Sequence, residues 1–227
     1  DLPRADRYTV EPYDEDSLAG EVAALDVRPL GVHDDSELSL AGIQNKLLLV
    51  ELPDGRWGRP VHGHPSTHIL KVDSAARPGL VAAEASCLAL ARALGLTTIE
   101  AVLLTIGAQE SLIVERFDRI GRRARAKRVH QEDLCQATGR EAKYESRGRG
   151  GPGFADAVAL IERFAKDPTV EIERLLAIAT FTLAIGNADA HGKNVALLHD
   201  AAATVRLAPL YDTVPTIMWH GLRRDAA

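Results

Sequence analysis

A small group of polar side chains in this sequence could carry out catalysis. Within six positions the chain places a carboxylate, an imidazole, an ammonium and a carboxamide, at Asp189, His191, Lys193 and Asn194. A further carboxylate, Asp212, follows 18 residues after Asn194. Phosphoryl transfer needs a carboxylate that orients the attacking hydroxyl, and an amide and a second carboxylate that hold Mg²⁺ against the phosphates. The pattern therefore indicates phosphoryl-transfer chemistry, and the alternative is a polar turn between a helix and a strand.

The spacing within this group favours the catalytic alternative. In protein kinases the catalytic-loop Asp and the metal-binding Asn are five positions apart, as Asp189 and Asn194 are here. The second metal carboxylate follows a short hairpin, which is where Asp212 falls. Apolar runs over 175–185 and 195–198 predict the helix that leads into the loop and the strand that leaves it.

The overall composition is that of a globular protein. The 227 residues, 46% hydrophobic and 26% charged, suffice for one large domain or two small ones. A net charge of −5 argues against a protein whose whole surface binds nucleic acid, because neutralising phosphates requires a basic surface. No apolar run reaches the ~18 residues of a membrane span. Cys87 and Cys135 lie in apolar contexts and predict buried thiols in a reducing compartment. We therefore expect a cytoplasmic protein. Because the sequence begins without a signal peptide or an initiator Met, we also expect a fragment of a longer chain.

A loop of small residues over 38–46 precedes an apolar strand and could fold over a nucleotide. Backbone amides in such a loop can point at phosphate oxygens. Gly42 is its only glycine, so a plain hairpin is the alternative. A second strand, predicted over 67–71, ends in Lys71, where a kinase requires its phosphate-binding ammonium. The alternative for Lys71 is a solvated lysine on a strand.

The region after Lys71 predicts a helix and then a hinge. Apolar periodicity predicts a helix over 80–94, with Glu84 as the single acid in its first turns. Glu84 either forms an ion pair with Lys71 or favours the helix N-terminus. A hairpin over 103–114 then runs into Glu115–Asp118, the candidate hinge whose backbone would read the adenine edge. A surface turn is the alternative for the hinge.

Strands come first and helices after, which predicts an α+β fold with a β-rich small lobe and a helical large lobe. Two long core helices are predicted over 154–164 and 172–185, with Pro168 separating them. A shorter helix is expected to open over 129–135. The domains expected are 1–37 as the tail of an upstream N-terminal subdomain, 38–118 as the nucleotide-binding small lobe with one helix, and 119–227 as a truncated catalytic lobe.

Two smaller features complete the picture. A short helix is predicted over 17–25, with Ser17 as its N-cap. His62, His64 and His68 lack the spacing of metal ligands. They lie in a Gly- and Pro-containing loop, so we expect solvated side chains.

Six motifs follow one another in unbroken order. They are Ser39–Lys46, Pro65–Lys71, Glu115–Arg119, His130–Asp133, Gly186–Asn194 and Ala208–Asp212. Together they resemble the HipA-type serine/threonine kinases, the toxin halves of bacterial toxin–antitoxin pairs. The match covers roughly residues 36–220 and implies a two-lobed, protein-kinase-like fold. Family members also carry an N-terminal subdomain and a C-terminal helical stretch, so this chain is expected to be a fragment lacking both.

The resemblance implies a role for each matched residue. Asp189 would be the catalytic base, acting with Lys71, and Asn194 and Asp212 would be the magnesium ligands. Asp118 would lie near the ribose. ATP would be bound by Ala41, Gly42, Ile43, Gln44, Asn45, Lys46, Lys71, Glu115, Arg116, Phe117, Asp118, His191, Lys193 and Tyr211. Ser39 would be the autophosphorylation site, and its added charge of about −2 would displace the loop and switch the enzyme off.

The resemblance also implies cofactors and partners. ATP and Mg²⁺ would be the cofactors, and the substrate would be a serine in an aminoacyl-tRNA synthetase, whose modification stops translation. A HipB-like DNA-binding antitoxin would restrain the kinase, so that DNA is contacted only through the antitoxin, and no membrane is involved. Two alternatives stay open. One is a small-molecule or lipid kinase of related fold, and the other is a non-catalytic module that holds an antitoxin and helps to repress a promoter.

Overall fold

The structure, a computed structural model, describes residues 9–25, 45–75, 77–121, 125–142, 150–200 and 204–219. The chain divides into two compact units. The first contains Asp1–Ala85 and Glu100–Arg128, and the second contains Ser86–Ile99 and Val129–Ala227. These boundaries differ from those of the three domains expected from the sequence. The compact units do not test the domain division, so that division stays a prediction. Among the described helices, none combines the length and apolar character that crossing a bilayer requires.

The first unit is built on a six-stranded sheet in which every neighbouring pair is antiparallel. The order across the sheet is β1-β3-β2-β4-β6-β5. Its strands are β1 (Thr9–Pro12), β2 (Asn45–Glu51), β3 (Trp57–Val61), β4 (His68–Val72), β5 (Ala101–Ile106) and β6 (Gln109–Glu115). A separate two-stranded ribbon pairs β7 (Arg119–Ile120) with β8 (Lys127–Arg128). β1, which lies in the stretch expected to be an upstream tail, is hydrogen-bonded into the six-stranded sheet through β3.

One face of this sheet packs against helix α1 (Glu15–Ala24). Leu18 and Val22 of α1 share a buried cluster with Leu70 and Val72 of β4. Because alternate strand residues face opposite ways, the residue between the last two, Lys71, points to the other side of the sheet. The N-cap of α1 is Asp14 and not the expected Ser17, which stands at N3 and completes a capping box.

The second unit combines a three-stranded sheet with helices. The sheet has the order β11-β10-β9. Its elements are β9 (Gln131–Asp133), α3 (Leu134–Thr138), α4 (Phe154–Phe164), α5 (Pro168–Ala184), β10 (Ala196–His199) and β11 (Val205–Leu207). Ile161 of α4 and Phe181 of α5 are buried with Leu197 and Leu207 of the sheet. This core supports the loop between α5 and β10, which carries the polar group identified in the sequence.

Two helix predictions for this unit need correction. α5 begins at Pro168 and not at 172, because proline is well suited to the first helical position, where its missing N–H is not needed. Pro168 therefore opens the second long helix and does not merely separate the two. The helix expected over 129–135 begins only at Leu134, since Gln131–Asp133 pairs with β10 as a strand. Helix α2 (Leu80–Ala93), whose residues are divided between the first and second units, ends one residue before its predicted end.

Candidate active site

The loop that carries Asp189 begins where α5 ends in a Schellman motif. Gly186 adopts a left-handed backbone with φ of +70°, which glycine tolerates without a Cβ penalty. Its N–H donates to the carbonyl of Leu183 at 3.1 Å, and the N–H of Asn187 donates to the carbonyl of Thr182 at 3.0 Å. The buried Asn187 then accepts the N–H of Asp189 through Oδ1 at 3.1 Å. The end of the helix therefore sets the direction of the catalytic loop.

Two hydrogen bonds tie this loop to the segment that follows Asp212. The N–H of Ala188 donates to Oγ1 of the buried Thr216 at 2.6 Å. The N–H of Ile217 donates to the carbonyl of Gly186 at 3.1 Å. The two pieces of chain that were predicted to carry the catalytic groups are therefore held together by one backbone–side-chain and one backbone–backbone hydrogen bond.

Asn194 and Asp212, the two predicted magnesium ligands, are in direct contact. Nδ2 of Asn194 donates to Oδ2 of Asp212 at 3.1 Å, while Oδ1 of Asn194 accepts the N–H of His191 at 3.2 Å. The hairpin of β10 and β11 returns the chain to this point, as the sequence predicted. Asn194 ends a short 3₁₀ helix, Gly192–Asn194, so its position is fixed on both sides.

The backbone at Asp212 is strained. Its φ is +50°, a left-handed conformation that costs a non-glycine residue roughly 1–2 kcal/mol. The neighbouring Tyr211 anchors the segment by donating its hydroxyl hydrogen to the carbonyl of Lys193 at 2.8 Å. Strained residues of this kind persist where the surroundings hold them, and they cluster at active sites.

The donor set of this contact fits a magnesium ion. Carboxylate and carboxamide oxygens are ligands that Mg²⁺ accepts, and Asp212 and Asn194 supply one of each from adjacent positions. To present Oδ1 of Asn194 on the side of Asp212, the carboxamide would have to make a half-turn and give up the hydrogen bond from the N–H of His191.

In the first unit, Lys71 and Glu84 form a buried ion pair. Nζ of Lys71 lies 2.5 Å from Oε1 of Glu84, and the two residues are 7% and 0% exposed. Asp73, at the end of β4, accepts the N–H groups of Gly79 and Val81 and so caps the start of α2. This cap fixes the helix turn that carries Glu84 relative to the strand that carries Lys71. The ion-pair alternative for Glu84 is confirmed.

A second lysine lies beside this pair. In the register of β2 and β4, Lys46 is directly opposite Lys71, so both side chains are on the same face of the sheet. Asn45, opposite Val72, is buried on the other face. A second ammonium-bearing side chain on the sheet face of Lys71 adds positive charge there, which suits an anionic ligand such as phosphate. The predicted loop residues Ser39, Ala41, Gly42, Ile43 and Gln44 lie outside the described part of the chain.

The candidate hinge contains a buried charge network. The carboxylate of Asp118 accepts two hydrogen bonds from Arg116, at 3.0 and 2.8 Å, and one from Arg119 at 2.7 Å. Both arginines also bind the fully buried Ser66, through its hydroxyl and its carbonyl. Burial alone would raise the pKa of Asp118, but the hydrogen bonds and charges of the two arginines outweigh it and hold the pKa below its usual value. A contact between this carboxylate and a ribose would require the network to open.

Part of the hinge backbone is hydrogen-bonded within the sheet. The N–H of Glu115 donates to the carbonyl of Glu100 at 2.8 Å, and the N–H of Arg116 donates to the carbonyl of Thr67 at 2.9 Å. These bonds continue the strand pairing of β6. Of the three residues predicted to hold adenine by their backbone, only the half-buried Phe117 lies beyond them.

The histidines expected to be solvated differ from one another. His62 is exposed, but His64 is 5% exposed, and its Nδ1 lies 2.9 Å from the carbonyl oxygen of Pro65. His68 lies in β4 with its ring edge-on to Trp57 at 4.9 Å between centroids. Burial lowers the pKa of His68. The prediction was wrong for His64 and His68 because a loop-like composition carries no information about burial.

Several supporting residues were not identified from the sequence. Asn187 and Thr216 hold the catalytic loop, Asp73 caps α2, and Ser66 joins the hinge network. Asn187 accepts an N–H only two positions away, a local bond that asparagine commonly makes in turns. Asp73 lies seven positions before the first residue of α2, too far for the usual N-cap signal. Thr216 and Ser66 act through contacts with residues distant in sequence.

Comparison with known proteins places the chain in a family. The model of the HipA-like C-terminal domain matches residues 38–226. Y4mE of Sinorhizobium fredii, whose name describes it as a candidate kinase, is 41% identical over 215 residues, 93% of this chain and 50% of that protein. The serine/threonine-protein kinase toxin HipA of Shewanella oneidensis is 32% identical over 203 residues, 84% of this chain and 46% of that protein.

A solved structure gives the same result. A chain from the complex of HipA, HipB and operator DNA of the Shewanella oneidensis toxin–antitoxin system superposes with a TM-score of 0.73 and 28% identity. The match covers 98% of this chain and 54% of that one, so the chain spans about half the length of the relatives it matches. The expected α+β, kinase-like fold class is confirmed. The chain belongs to the HipA-like C-terminal domain family.

Proposed function

We propose that this chain is the catalytic part of an ATP- and Mg²⁺-dependent serine/threonine protein kinase, the toxin component of a toxin–antitoxin system. The observation that carries the proposal is the contact between Asn194 and Asp212 beside the loop that presents Asp189. A carboxamide and a carboxylate in contact, five and 23 residues after the carboxylate of Asp189, match what phosphoryl transfer requires.

In the second unit, Asp189 accepts the proton of the substrate hydroxyl as that oxygen attacks the γ-phosphorus of ATP, and the bond from this phosphorus to the β–γ bridging oxygen breaks to release ADP. Its backbone N–H is held by the side chain of Asn187, which restrains the loop position from which the carboxylate projects. Asn194 and Asp212 would hold Mg²⁺, which when bound neutralises phosphate charge and orients the phosphoryl group. His191 and Lys193, from the same loop, contribute charge and hydrogen bonds near the phosphates. Positioning and charge stabilisation supply nearly all of the catalysis in reactions of this kind.

In the first unit, Lys71 binds phosphate oxygens of ATP. Glu84 holds the ammonium in place, and Lys46 adds a second positive charge on the same sheet face. The adenine contact is proposed for the hinge backbone of Glu115–Phe117, in which the N–H groups of Glu115 and Arg116 are already donated within the sheet. Loop residues Ala41–Gln44 are proposed to cover the phosphates.

The proposed substrate is a serine of a translation factor such as an aminoacyl-tRNA synthetase, and the proposed partner is a HipB-like antitoxin. The antitoxin proposal is supported by the solved relative, in which HipA is found with HipB and operator DNA. DNA would be contacted through the antitoxin.

Calorimetry and phosphate transfer together test the function. We expect the chain to bind Mg-ATP and to transfer labelled γ-phosphate to serine in a protein. No binding at millimolar nucleotide would contradict the proposal and favour a non-catalytic antitoxin-binding module. Transfer only to a small molecule would contradict it in favour of a small-molecule or lipid kinase.

We also propose autophosphorylation at Ser39. Its position at the head of the predicted nucleotide loop supports this, since a phosphate there would repel bound ATP. Mass spectrometry after incubation with Mg-ATP should find the phosphate on Ser39 and none in the Ser39→Ala variant. Phosphate on other serines alone would refute the assignment.

A further inference from the structure

Three side chains of the second unit form a cluster that the kinase chemistry does not use. His130, Glu132 and His199 each place one nitrogen or oxygen within 4.8 Å of those of the other two. The rings of His130 and His199 are 4.6 Å apart between centroids and tilted by 42°. None of these residues belongs to the proposed ATP or magnesium site.

The strand register explains why the three meet. Leu197 lies opposite Glu132, and the N–H of His199 donates to the carbonyl of His130 at 2.9 Å. His199 is therefore opposite His130. Residues two apart on one strand share a face with the residue opposite them on the next. Two antiparallel strands thus deliver all three side chains to one side of the sheet.

The contact between His199 and Glu132 has an unusual geometry. Nε2 of His199 lies 2.8 Å from Oε2 of Glu132, yet it is buried and makes no properly aligned hydrogen bond to any described residue. A short distance alone does not make a hydrogen bond, so the two atoms are in contact without forming one. A nitrogen and an oxygen that lie close together without a hydrogen bond between them are arranged like neighbouring ligand atoms of one metal ion.

We propose that His130, Glu132 and His199 bind a divalent transition-metal ion of the zinc type. Two imidazole nitrogens and one carboxylate oxygen are a common ligand set for Zn²⁺, whereas Mg²⁺ takes oxygen ligands. Zinc–ligand bonds of about 2.0–2.2 Å put tetrahedral ligand atoms roughly 3.3 Å apart. The cluster therefore needs a closure of at most about 1.5 Å. His130 is exposed, so its side chain can make this movement, and a water would complete the coordination.

A bound ion would cross-link β9 to β10, the strand that follows the loop carrying Asp189 and Asn194. β10 begins two residues after Asn194, and β9 leads into α3 through the capping residue Asp133. The two strands pair over only three residues. A bound ion would join them by side chains as well as by backbone. Because an ion that binds only the folded state stabilises it, the second unit should become harder to unfold.

Zinc binding can be measured on the chain without a histidine tag, stripped with a chelator and free of nucleotide. We expect one equivalent of Zn²⁺ per chain, and Co²⁺ at the same site should give the visible bands of a four- or five-coordinate ion. His199→Ala and the isosteric Glu132→Gln should each lower the affinity about 10-fold or more and abolish those bands. His62→Asn removes an exposed histidine in the first unit and should change nothing.

Two outcomes would overturn the proposal. One is the absence of stoichiometric binding by the wild-type chain. The other is wild-type affinity in both site variants whose circular dichroism shows a native fold, which would reveal adventitious binding elsewhere. Neither outcome bears on kinase activity, so this proposal and the proposed function fail independently.

Discussion

The buried ion pair between Lys71 and Glu84 predicts a particular pattern of stability. The two side chains are 9% and 1% exposed and 2.5 Å apart. Removing one partner strands the other charge in the interior, which costs about 3–5 kcal/mol, a large share of a typical stability of roughly 5–15 kcal/mol. For a chain of this size that corresponds to a fall in Tm of roughly 6–20 °C. We expect this loss in both Lys71→Met and Glu84→Leu.

The double variant separates the structural role from the chemical one. Apolar residues of similar volume often replace a buried ion pair at little cost, so Lys71→Met/Glu84→Leu should recover most of the lost stability. It should still fail to transfer phosphate from ATP, because the ammonium is gone. A double variant that regains transfer would show that Lys71 has no role in phosphate binding.

Urea titration followed by Trp57 fluorescence measures the free energy of unfolding of the first unit. A Trp219→Phe background removes the signal of the other tryptophan. Arg59→Met, which breaks an exposed pair with Glu11, is the matched control and should cost at most about 1 kcal/mol. Two results would refute the reasoning. One is a loss of unfolding free energy in Lys71→Met and Glu84→Leu that is no larger than the loss in the Arg59→Met control. The other is a double variant whose loss equals the sum of the losses in the two single variants.

Two further predictions concern stability. Asp118→Asn leaves two buried arginines without their carboxylate and should cost about 3–5 kcal/mol at neutral pH, whereas Asp54→Asn, in an exposed pair, should cost at most about 1 kcal/mol. The folded pKa of Asp118 is lowered. The stabilisation by its carboxylate is therefore complete above the unfolded pKa of about 3.9 and is lost as the pH falls through the folded pKa. Urea titrations in which the difference in unfolding free energy between the wild type and Asp118→Asn does not change with pH would contradict this. Gly186→Ala should be destabilised by its left-handed backbone, by about 1–2 kcal/mol, and further by a Cβ 2.7 Å from Cγ2 of Ile217. Gly55→Ala, with a similar φ but open space around it, isolates the backbone part, and equal losses of unfolding free energy in the two variants would exclude the Ile217 contact.

The parts of the fold with strong local patterns were predictable. Helix α4 has the predicted bounds, and α2 differs from its prediction by one residue. The hairpin that returns the chain to Asp212 was also expected from its apolar runs. In each case the periodicity of the sequence and the burial in the structure agree, so local information was sufficient.

The errors arose where local patterns compete with distant contacts. Gln131–Asp133 is a strand because β10 pairs with it, and nothing in those three residues indicates this. Pro168 was interpreted as a break, although proline also suits a helix start. The cluster with His199 joins residues 69 positions apart, so the spacing of metal ligands along the sequence could not reveal it.

The residues of the candidate site also differ in whether local sequence patterns or distant contacts determine them. The types and spacing of Asp189, Asn194 and Asp212 could be read from the sequence, and the contact between Asn194 and Asp212 agrees with that pattern. Their role in phosphoryl transfer stays a prediction. The position of Asp118 within a network of two arginines could not be read from the sequence, since that depends on Ser66, 52 residues earlier. The pairing of Lys71 with Glu84 was one of two alternatives, and only three-dimensional contacts could decide between them.

The most direct test of the proposed kinase compares phosphate transfer from labelled ATP by the wild-type chain and by Asp189→Asn. The variant keeps the size and backbone of the residue but cannot accept the proton of the hydroxyl, and its circular dichroism should be unchanged. We predict that transfer to protein serine is abolished, while Asp54→Asn transfers phosphate at the wild-type rate. Undiminished transfer by a natively folded Asp189→Asn variant would contradict the central claim.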